Sequence, residues 1–205
     1  MYNILIFGDS LTLGRGIGFD KSWLALLSQS ISTEDQKNTI IFNLGIPGNT
    51  SGDIAKRIDL ELKPRTKNSS KKDLNIIIIQ IGINDAKNIK SVGNTQTDLS
   101  QFSKNIRNII KSAKKYSDCI YFLGITPVKE SESKKTGSYY FRNYDIERYN
   151  AAIKNICSKT AVSFIEIYKN WIRTNYCQYL LDDGIHLNQF GHKKIFASLR
   201  KFIVL

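Results

Sequence analysis

The chain has 205 residues, of which 41% are hydrophobic, so we expect residues 1–205 to form one domain with a substantial core. No apolar run approaches the roughly 18 residues of a membrane span, and the first residues lack the basic region and cleavage site of a signal peptide. The net charge of +12 would suit nucleic acid, but the lysines are scattered and far outnumber the arginines, so we expect a solvated basic surface and no specific nucleic-acid partner.

Apolar runs with strand-like branching alternate with stretches of helical periodicity along the chain. The run Leu74–Ile81 is almost uniformly apolar, which indicates a central strand covered on both faces. Thr50 or Ser51 is expected to cap the second helix, and Pro64 to end it. In chain order we predict strand 3–7, helix 20–30, strand 39–43, helix 51–63, strand 74–81, helix 98–116, strand 119–125, helix 143–159, strand 162–167 and helix 188–202.

Strands that alternate with helices imply a parallel sheet joined by right-handed crossovers. We therefore predict an α/β fold, a three-layer α/β/α sandwich with a mostly parallel five-stranded sheet. In such sheets, ligands bind beyond the carboxyl ends of the strands, near the point where the strand order reverses. The loops that follow the predicted strands contain the chain's least ordinary residues, in the stretches Gly8–Ser10, Gly45–Asn49, Gly82–Asp85 and Asp182–His186.

Together these loops contain every group that serine-based acyl transfer requires. Ser10 offers a hydroxyl nucleophile, and His186 is the candidate base because an imidazole accepts and returns a proton around neutral pH. Asp183 lies three residues before His186 and could orient its ring across a single turn. The backbone N–H groups of Ser10 and Gly48 and the side-chain amide of Asn84 are the candidate donors to an oxyanion.

Four stretches, in this order and at these separations, resemble the conserved blocks of GDSL-type SGNH hydrolases: FGDSLT, NLGIPGNTS, IGIND and DDGIHLNQFGH. The resemblance runs from Asn3 to about Phe196 and implies a flavodoxin-like SGNH hydrolase fold with esterase, lipase or thioesterase activity. Carried over position by position, it implies a nucleophile at Ser10, oxyanion residues at Gly48 and Asn84, and an acid and base at Asp183 and His186.

Each of these residues also has an ordinary interpretation as a turn or cap residue. Asn84 could cap the turn after the third strand, Gly48 could be a turn glycine, and Asp183 could cap a loop. Four such coincidences at one edge of one sheet are much less expected than a catalytic site. Asp9 and Asp85 are expected to support the loops by accepting backbone hydrogen bonds.

We predict a metal-independent serine hydrolase that needs no cofactor and cleaves a small-molecule ester or thioester through an acyl-enzyme. A carbohydrate O-deacetylase with the same catalytic residues, and a non-catalytic binding protein for anionic ligands, stay open as alternatives. Cys119, Cys157 and Cys177 are odd in number and lack C-x-x-C spacing, which favours reduced thiols, a cytoplasmic location and no zinc site. His192 has no acid at matching spacing and is expected to be a helix or surface residue.

The loop after the fourth predicted strand, Thr126–Tyr140, is expected to border the cleft because it leaves the sheet at the same edge. Its middle is almost entirely charged or hydroxylated, and only Tyr139–Phe141 at its end is apolar enough to pack on a substrate or, equally, to anchor the next helix. We therefore predict a shallow site that prefers short acyl chains. The contrary interpretation is an apolar pocket built by the segment Trp171–Leu180, which precedes Asp183.

Overall fold

Five parallel strands form the central sheet of the computed structural model, which describes residues 2–31, 38–66, 75–133 and 139–203. The strands are β1 (Tyr2–Gly8), β2 (Thr39–Gly45), β3 (Asn75–Gln80), β4 (Asn88–Ile89), β5 (Cys119–Leu123), β6 (Tyr139–Tyr140) and β7 (Ser163–Ile165). The central sheet has the order β2-β1-β3-β5-β7, whereas β4 and β6 pair separately and antiparallel. The predicted parallel sheet is confirmed, and its order reverses between β1 and β3, as in flavodoxin-like folds.

Helices cover both faces of this sheet. They are α1 (Ser10–Leu13), α2 (Trp23–Ser30), α3 (Ser51–Thr66), α4 (Leu99–Ala113), α5 (Glu130–Ser133), α6 (Asn143–Lys159), α7 (Tyr168–Ile172) and α8 (Gln189–Leu199). α3 packs on α4 and α4 on α6, whereas α2 packs on α8. Residues Ile4–Phe7 of β1 and Ile77–Ile79 of β3 are completely buried, so both faces of these central strands are covered. This is the three-layer α/β/α sandwich that the sequence predicts.

The carboxyl ends of β1, β2 and β3 lie side by side. Gly8 pairs with Gly45 on one neighbouring strand and with Gln80 on the other. Since adjacent strands are about 5 Å apart, the loops that follow these three strands begin close together at one edge of the sheet. The register thus brings together stretches of chain that are far apart in the sequence.

The predicted end of α3 at Pro64 is wrong, because the helix continues to Thr66 with Pro64 inside its last turn. Proline there removes only the hydrogen bond to the carbonyl oxygen of Leu60, whose side chain is exposed to solvent. The hydroxyl of Thr66 donates to the carbonyl oxygen of Leu62 at 2.8 Å and so supports the end of the helix. A proline this close to the last residue does not stop a helix.

Other boundaries differ from the prediction by a few residues. Ser22 caps α2, so this helix begins at Trp23 and not at residue 20. Asn188 caps α8, which ends at Leu199 and not at residue 202. β3, α4, β5 and β7 are also slightly shorter than predicted. The predicted first residue of β3, Leu74, lies outside the described residues.

Cys119, Cys157 and Cys177 form no disulfide with one another in this structure. None of the described helices is long and apolar enough to cross a membrane. Within the described ranges, no three side chains of histidine, cysteine, aspartate or glutamate are grouped as metal ligands would be.

His192 lies in a helix, as predicted, but it is buried and not at the surface. Its Nδ1 accepts a hydrogen bond from the backbone N–H of Trp23 at 3.2 Å, which links α8 to the first residue of α2. Burial disfavours the charged imidazolium and lowers the pKa of His192 from 6.5 to about 4. The folded protein therefore keeps this histidine neutral in mildly acidic solution.

We expect His192 to make the folded state sensitive to acid. Between pH 6.5 and about 4 the unfolded chain binds a proton here and the folded chain does not, so stability present above pH 6.5 is lost as the pH falls. His192→Gln keeps an acceptor for Trp23 but does not titrate. Both proteins are unfolded with urea at pH 7 and at pH 4.5. Between these pH values, the free energy of unfolding of wild type should fall by about 2–3 kcal/mol more than that of the variant. An unchanged difference between the two proteins would contradict a buried neutral histidine.

Candidate active site

Ser10, Asp183 and His186 meet at the carboxyl edge of the sheet. The Nε2 of His186 lies 2.9 Å from the Oγ of Ser10, and the Nδ1 of the same ring lies 2.5 Å from the Oδ2 of Asp183. The serine and the histidine are 176 positions apart in the sequence, so the fold alone brings them together. A hydroxyl, an imidazole and a carboxylate in this order can convert a serine into a nucleophile.

The turn from Asp183 to His186 is closed by the aspartate itself. Its Oδ1 accepts hydrogen bonds from the backbone N–H groups of Ile185 and His186, both at 2.9 Å. Partial burial alone would raise the pKa of Asp183, but the hydrogen bonds from the His186 side chain and the two N–H groups outweigh burial and hold that pKa below its ordinary value. The carboxylate is therefore ionised at neutral pH and can stabilise an imidazolium beside it.

Ser10 is the first residue of α1, the short helix that follows β1 directly. Asp9 caps this helix, because its Oδ1 accepts the backbone N–H of Leu11 at 2.9 Å. Burial raises the pKa of Asp9 to about 7 against the effect of the Leu11 hydrogen bond, and the nearby charge of Asp85 raises it further. Asp9 thus accepts the kind of backbone hydrogen bond predicted for it, and it holds the helix that presents Ser10.

The candidate oxyanion donors lie on loops that contact one another. The backbone N–H groups of Ser10 and Gly48 donate to no residue that the structure describes. Gly48 has a φ of 81°, a left-handed backbone that favours glycine, and a Cβ built there would meet no atom within 4 Å. The Nδ2 of Asn84 donates to the carbonyl oxygen of Asn49 at 3.0 Å. Asn84 is therefore tethered to the residue that follows Gly48.

Asp85 joins the loop after β3 to the start of α3. Its Oδ2 accepts the backbone N–H of Ser51 at 2.9 Å, and its Oδ1 accepts the Ser51 hydroxyl at 2.6 Å. Ser51 in turn accepts a hydrogen bond from the amide of Asn105 at 2.9 Å. This buried link fixes the loop that carries Gly48 relative to the loop that carries Asn84, and it includes the backbone hydrogen bond predicted for Asp85.

Two neighbouring segments contact the site loops from outside. The backbone N–H of Lys129, in the segment after β5, donates to the carbonyl oxygen of Gly184 at 2.8 Å, so this segment touches the loop that carries the histidine. Residues 134–138 of the predicted cleft border lie outside the described residues. The ammonium group of Lys87, three positions after the candidate oxyanion asparagine, lies 4.8 Å from the centre of the Tyr139 ring.

The apolar side chains considered for a long acyl pocket are mostly used elsewhere. Phe141, considered either for packing on a substrate or for anchoring the next helix, is buried in the core. Trp171 and Leu180, from the alternative pocket segment, are buried in the same core. By contrast, Leu13 and Ile46, on the segments that follow β1 and β2, are exposed apolar residues.

Arg57, which no sequence pattern distinguishes, binds several of these loops from α3. Its guanidinium donates to the carbonyl oxygen of Leu44 at 2.7 Å and to the Oδ1 of Asn49 at 3.0 Å. In the sequence Arg57 is one of several charged residues on an amphipathic helix. Only the fold shows that its side chain lies against the ends of the strands.

Solved structures share this fold across nearly their whole length. The acetylxylan esterase Axe2 from Geobacillus stearothermophilus is 19% identical, covering 100% of this chain and 94% of that chain, with a TM-score of 0.76. A lipase/acylhydrolase from Enterococcus faecalis is 18% identical, covering 98% and 94%, with a TM-score of 0.74. The esterase EstA from Pseudoalteromonas sp. is 17% identical, covering 98% and 96%, with a TM-score of 0.70. At these identities the likeness shows a common fold.

The family itself is shown by the sequence. A search of curated proteins finds no match. The sequence profile of the GDSL-like Lipase/Acylhydrolase family, however, matches residues 6–194, which include every candidate site residue named above. Because this match spans most of the chain, the protein belongs to the GDSL-like lipase/acylhydrolase family and is an enzyme that hydrolyses acyl esters.

Proposed function

We propose that Ser10 is the nucleophile of this hydrolase, that His186 is its general base and that Asp183 orients the base. One observation carries the proposal: the unbroken contact from the Ser10 hydroxyl through the imidazole to the carboxylate, at 2.9 and 2.5 Å. In the first step, His186 Nε2 takes the proton of the Ser10 hydroxyl while Oγ bonds to the carbonyl carbon of the substrate. The ionised Asp183 stabilises the imidazolium that results.

The charge that develops on the carbonyl oxygen is stabilised by the N–H groups of Ser10 and Gly48 and by the amide of Asn84. When the intermediate collapses, the bond to the leaving oxygen or sulfur breaks, the leaving group takes the proton from His186, and Ser10 is acylated. Water then gives a proton to His186 and attacks the acyl carbon. Return of that proton to the Ser10 Oγ breaks the acyl–serine bond and releases the carboxylic acid.

We infer that the acyl group is short. Leu13 stands three positions after Ser10 and Ile46 two positions before Gly48, and both are exposed, so the segments beside the nucleophile offer a small apolar surface. Within the Trp171–Leu180 segment, the two large aromatic rings are committed to packing, since the ring centroids of Trp171 and Tyr179 are 5.0 Å apart and Trp171 is buried. These features favour acetyl to butyryl groups over fatty acyl chains.

A carbohydrate O-deacetylase is the second candidate, and a polar cavity favours it. The cavity has a volume of about 320 Å³ and lies beside the loop that carries Asp183, lined by Lys129, Glu132, Cys177, Leu180, Leu181 and Asp182. Its charged side chains suit a hydroxyl-rich leaving group better than a lipid. Axe2, one of the structures of the same fold, is described as an acetylxylan esterase.

The chain-length preference is tested with p-nitrophenyl esters from acetate to palmitate, each below its micellar concentration, together with acetylated sugars. We expect kcat/KM to be highest between two and four carbons, because a longer chain would gain little buried apolar surface beyond Leu13 and Ile46. Higher kcat/KM on acetylated sugars than on p-nitrophenyl acetate would favour the deacetylase. A maximum at ten carbons or more would contradict the short-acyl proposal.

A further inference from the structure

Arg57 connects three segments of the site from a largely buried position. Its Nη2 donates to the carbonyl oxygen of Leu44, at the end of β2, at 2.7 Å. The same nitrogen lies 3.4 Å from the carbonyl oxygen of Gly8, the last residue of β1. The Nε donates to the side-chain Oδ1 of Asn49 at 3.0 Å. One guanidinium therefore holds the ends of two strands and the loop that follows the second.

The Asn49 contact leads directly to a candidate oxyanion donor. The carbonyl oxygen of Asn49 accepts the Nδ2 of Asn84 at 3.0 Å, while the Asn49 side chain is held by Arg57. An amide nitrogen carries two hydrogens, so the bond to Asn49 leaves the second for a substrate oxygen. Without substrate, this second N–H donates to the Oδ2 of Asp9 at 3.4 Å, a long contact that a substrate oxygen can replace. The direction of the second N–H thus depends on where Asn49 is held.

Through Gly8, the contacts of Arg57 also reach the segment that carries the nucleophile. The carbonyl oxygen of Gly8 also accepts the backbone N–H of Ile46 at 3.1 Å, and Gly8 is two positions before Ser10. The guanidinium carbon of Arg57 lies 5.4 Å from the centre of the Phe7 ring, which packs the side chain against β1. The planar fork of arginine holds separate nitrogens against oxygens on different segments, whereas all the donors of lysine lie on one nitrogen.

We propose that Arg57 is a positioning residue for the oxyanion hole: it holds Asn49, and through the Asn49 carbonyl oxygen it sets the orientation of the Asn84 amide. The proposal rests on the proposed function, in which Asn84 stabilises the transition state. Arg57 itself touches no substrate. Its contribution should appear in the rate of the chemical step and not in ground-state binding, because the donor it positions acts on charge that develops during the reaction.

The same helix provides a matched control in Arg65. This arginine also donates to a backbone carbonyl, that of Glu61 at 2.8 Å, and its guanidinium carbon also lies 5.4 Å from an aromatic ring, that of Phe42. It also forms an ion pair with Glu61 at 2.6 Å. None of these contacts reaches a site loop. The carboxylate of Glu61 also lies 3.7 Å from the Nη1 of Arg57, so the two arginines share it. Arg65→Lys therefore removes a carbonyl hydrogen bond and an aromatic contact of the same kind, but none of the contacts to Asn49.

The first test compares steady-state kinetics of Arg57→Lys and Arg65→Lys on p-nitrophenyl acetate, well below the lower of their unfolding temperatures. Arg57→Lys keeps the positive charge but loses the fork, and we expect a ~10- to 100-fold lower kcat with KM within about twofold of wild type. Arg65→Lys should keep the kcat of wild type. Equal losses in the two variants, or a rise in KM alone for Arg57→Lys, would overturn the proposal.

The second test is a double-mutant cycle with Asn84→Ala, which should itself lower kcat by ~10²- to 10³-fold. If Arg57 acts through Asn84, adding Arg57→Lys to Asn84→Ala should lower kcat by less than about threefold more. If the two losses multiply instead, Arg57 acts by another route and the proposal fails while the role of Asn84 stands. If Asn84→Ala leaves kcat unchanged, the oxyanion assignment and the role of Arg57 both fall.

Asn49→Ala provides an independent variant should the arginine substitution impair folding. It removes the Oδ1 that Arg57 binds but keeps the backbone carbonyl that accepts Asn84. We expect the same fall in kcat at constant KM as for Arg57→Lys. When Asn49→Ala is combined with Asn84→Ala, we expect little further fall in kcat. An Asn49→Ala enzyme with the kcat of wild type would overturn the proposal.

Discussion

Ser10→Ala should lower kcat by about 10⁶-fold, the scale of loss when the serine of such a triad is removed. Among the residues that the structure describes, it is the Ser10 hydroxyl that lies 2.9 Å from the His186 Nε2, so this group is the one placed to form the covalent intermediate. The measurement is steady-state turnover of p-nitrophenyl acetate by wild type and variant, purified in parallel to exclude carry-over.

The fold of this variant should be unchanged. Alanine keeps the backbone N–H and the carbonyl oxygen that accepts the Gly14 N–H at 3.1 Å, so α1 loses no internal hydrogen bond. The unfolding temperature of the variant is the control. A folded Ser10→Ala enzyme that retained more than a tenth of the turnover of wild type would rule out Ser10 as the nucleophile.

Asp183→Asn should lower kcat by about 10⁴-fold while leaving the shape of the site almost intact. The Oδ1 of asparagine can still accept the N–H groups of Ile185 and His186, which close the turn. In wild type the Asp183 carboxylate accepts a hydrogen bond from the Nδ1–H of His186. The amide group of asparagine would instead donate a hydrogen bond to Nδ1. The ring proton would then be on Nε2, and His186 could no longer take the proton of Ser10.

Asp182→Asn is the matched control for this substitution. Asp182 is the preceding residue, is exposed, and contributes no contact to the histidine among those described, so its variant should keep the kcat of wild type within about threefold. Both variants are compared on one ester at several pH values. If Asp182→Asn were crippled and Asp183→Asn active, the orienting acid would be Asp182 and the assignment would be wrong.

The sequence predicted the sheet and the site loops because both depend on strong local signals. The apolar run that becomes β3, and the glycine that ends β1 with the aspartate after it, mark strands and their ends without knowledge of the fold. Once a parallel sheet is inferred, the ends of its strands must share one edge. The contacts among Ser10, Asp183 and His186 follow from that topology together with the spacing of the last two residues.

What the sequence did not predict depends on contacts between distant segments. α1, α5, α7 and the β4–β6 pair are each at most five residues long, too short to show a hydrophobic period. His192 is buried because α8 packs on α2, and no local pattern reports that packing. Arg57 contacts the ends of β1 and β2 only because the fold packs α3 beside them. The predicted helix end at Pro64 was wrong because the effect of a proline on helix stability depends on its distance from the last residue of the helix.

The most direct test of the account is to locate a covalent adduct. The protein is treated with a fluorophosphonate, which reacts with activated serines, and its peptides are then mapped by mass spectrometry. We predict one adduct, on Ser10, formed quickly in wild type, much more slowly in Asp183→Asn, and absent from Ser10→Ala. An adduct on another residue, or labelling that persists in Ser10→Ala, would contradict the assignment of Ser10 as the nucleophile.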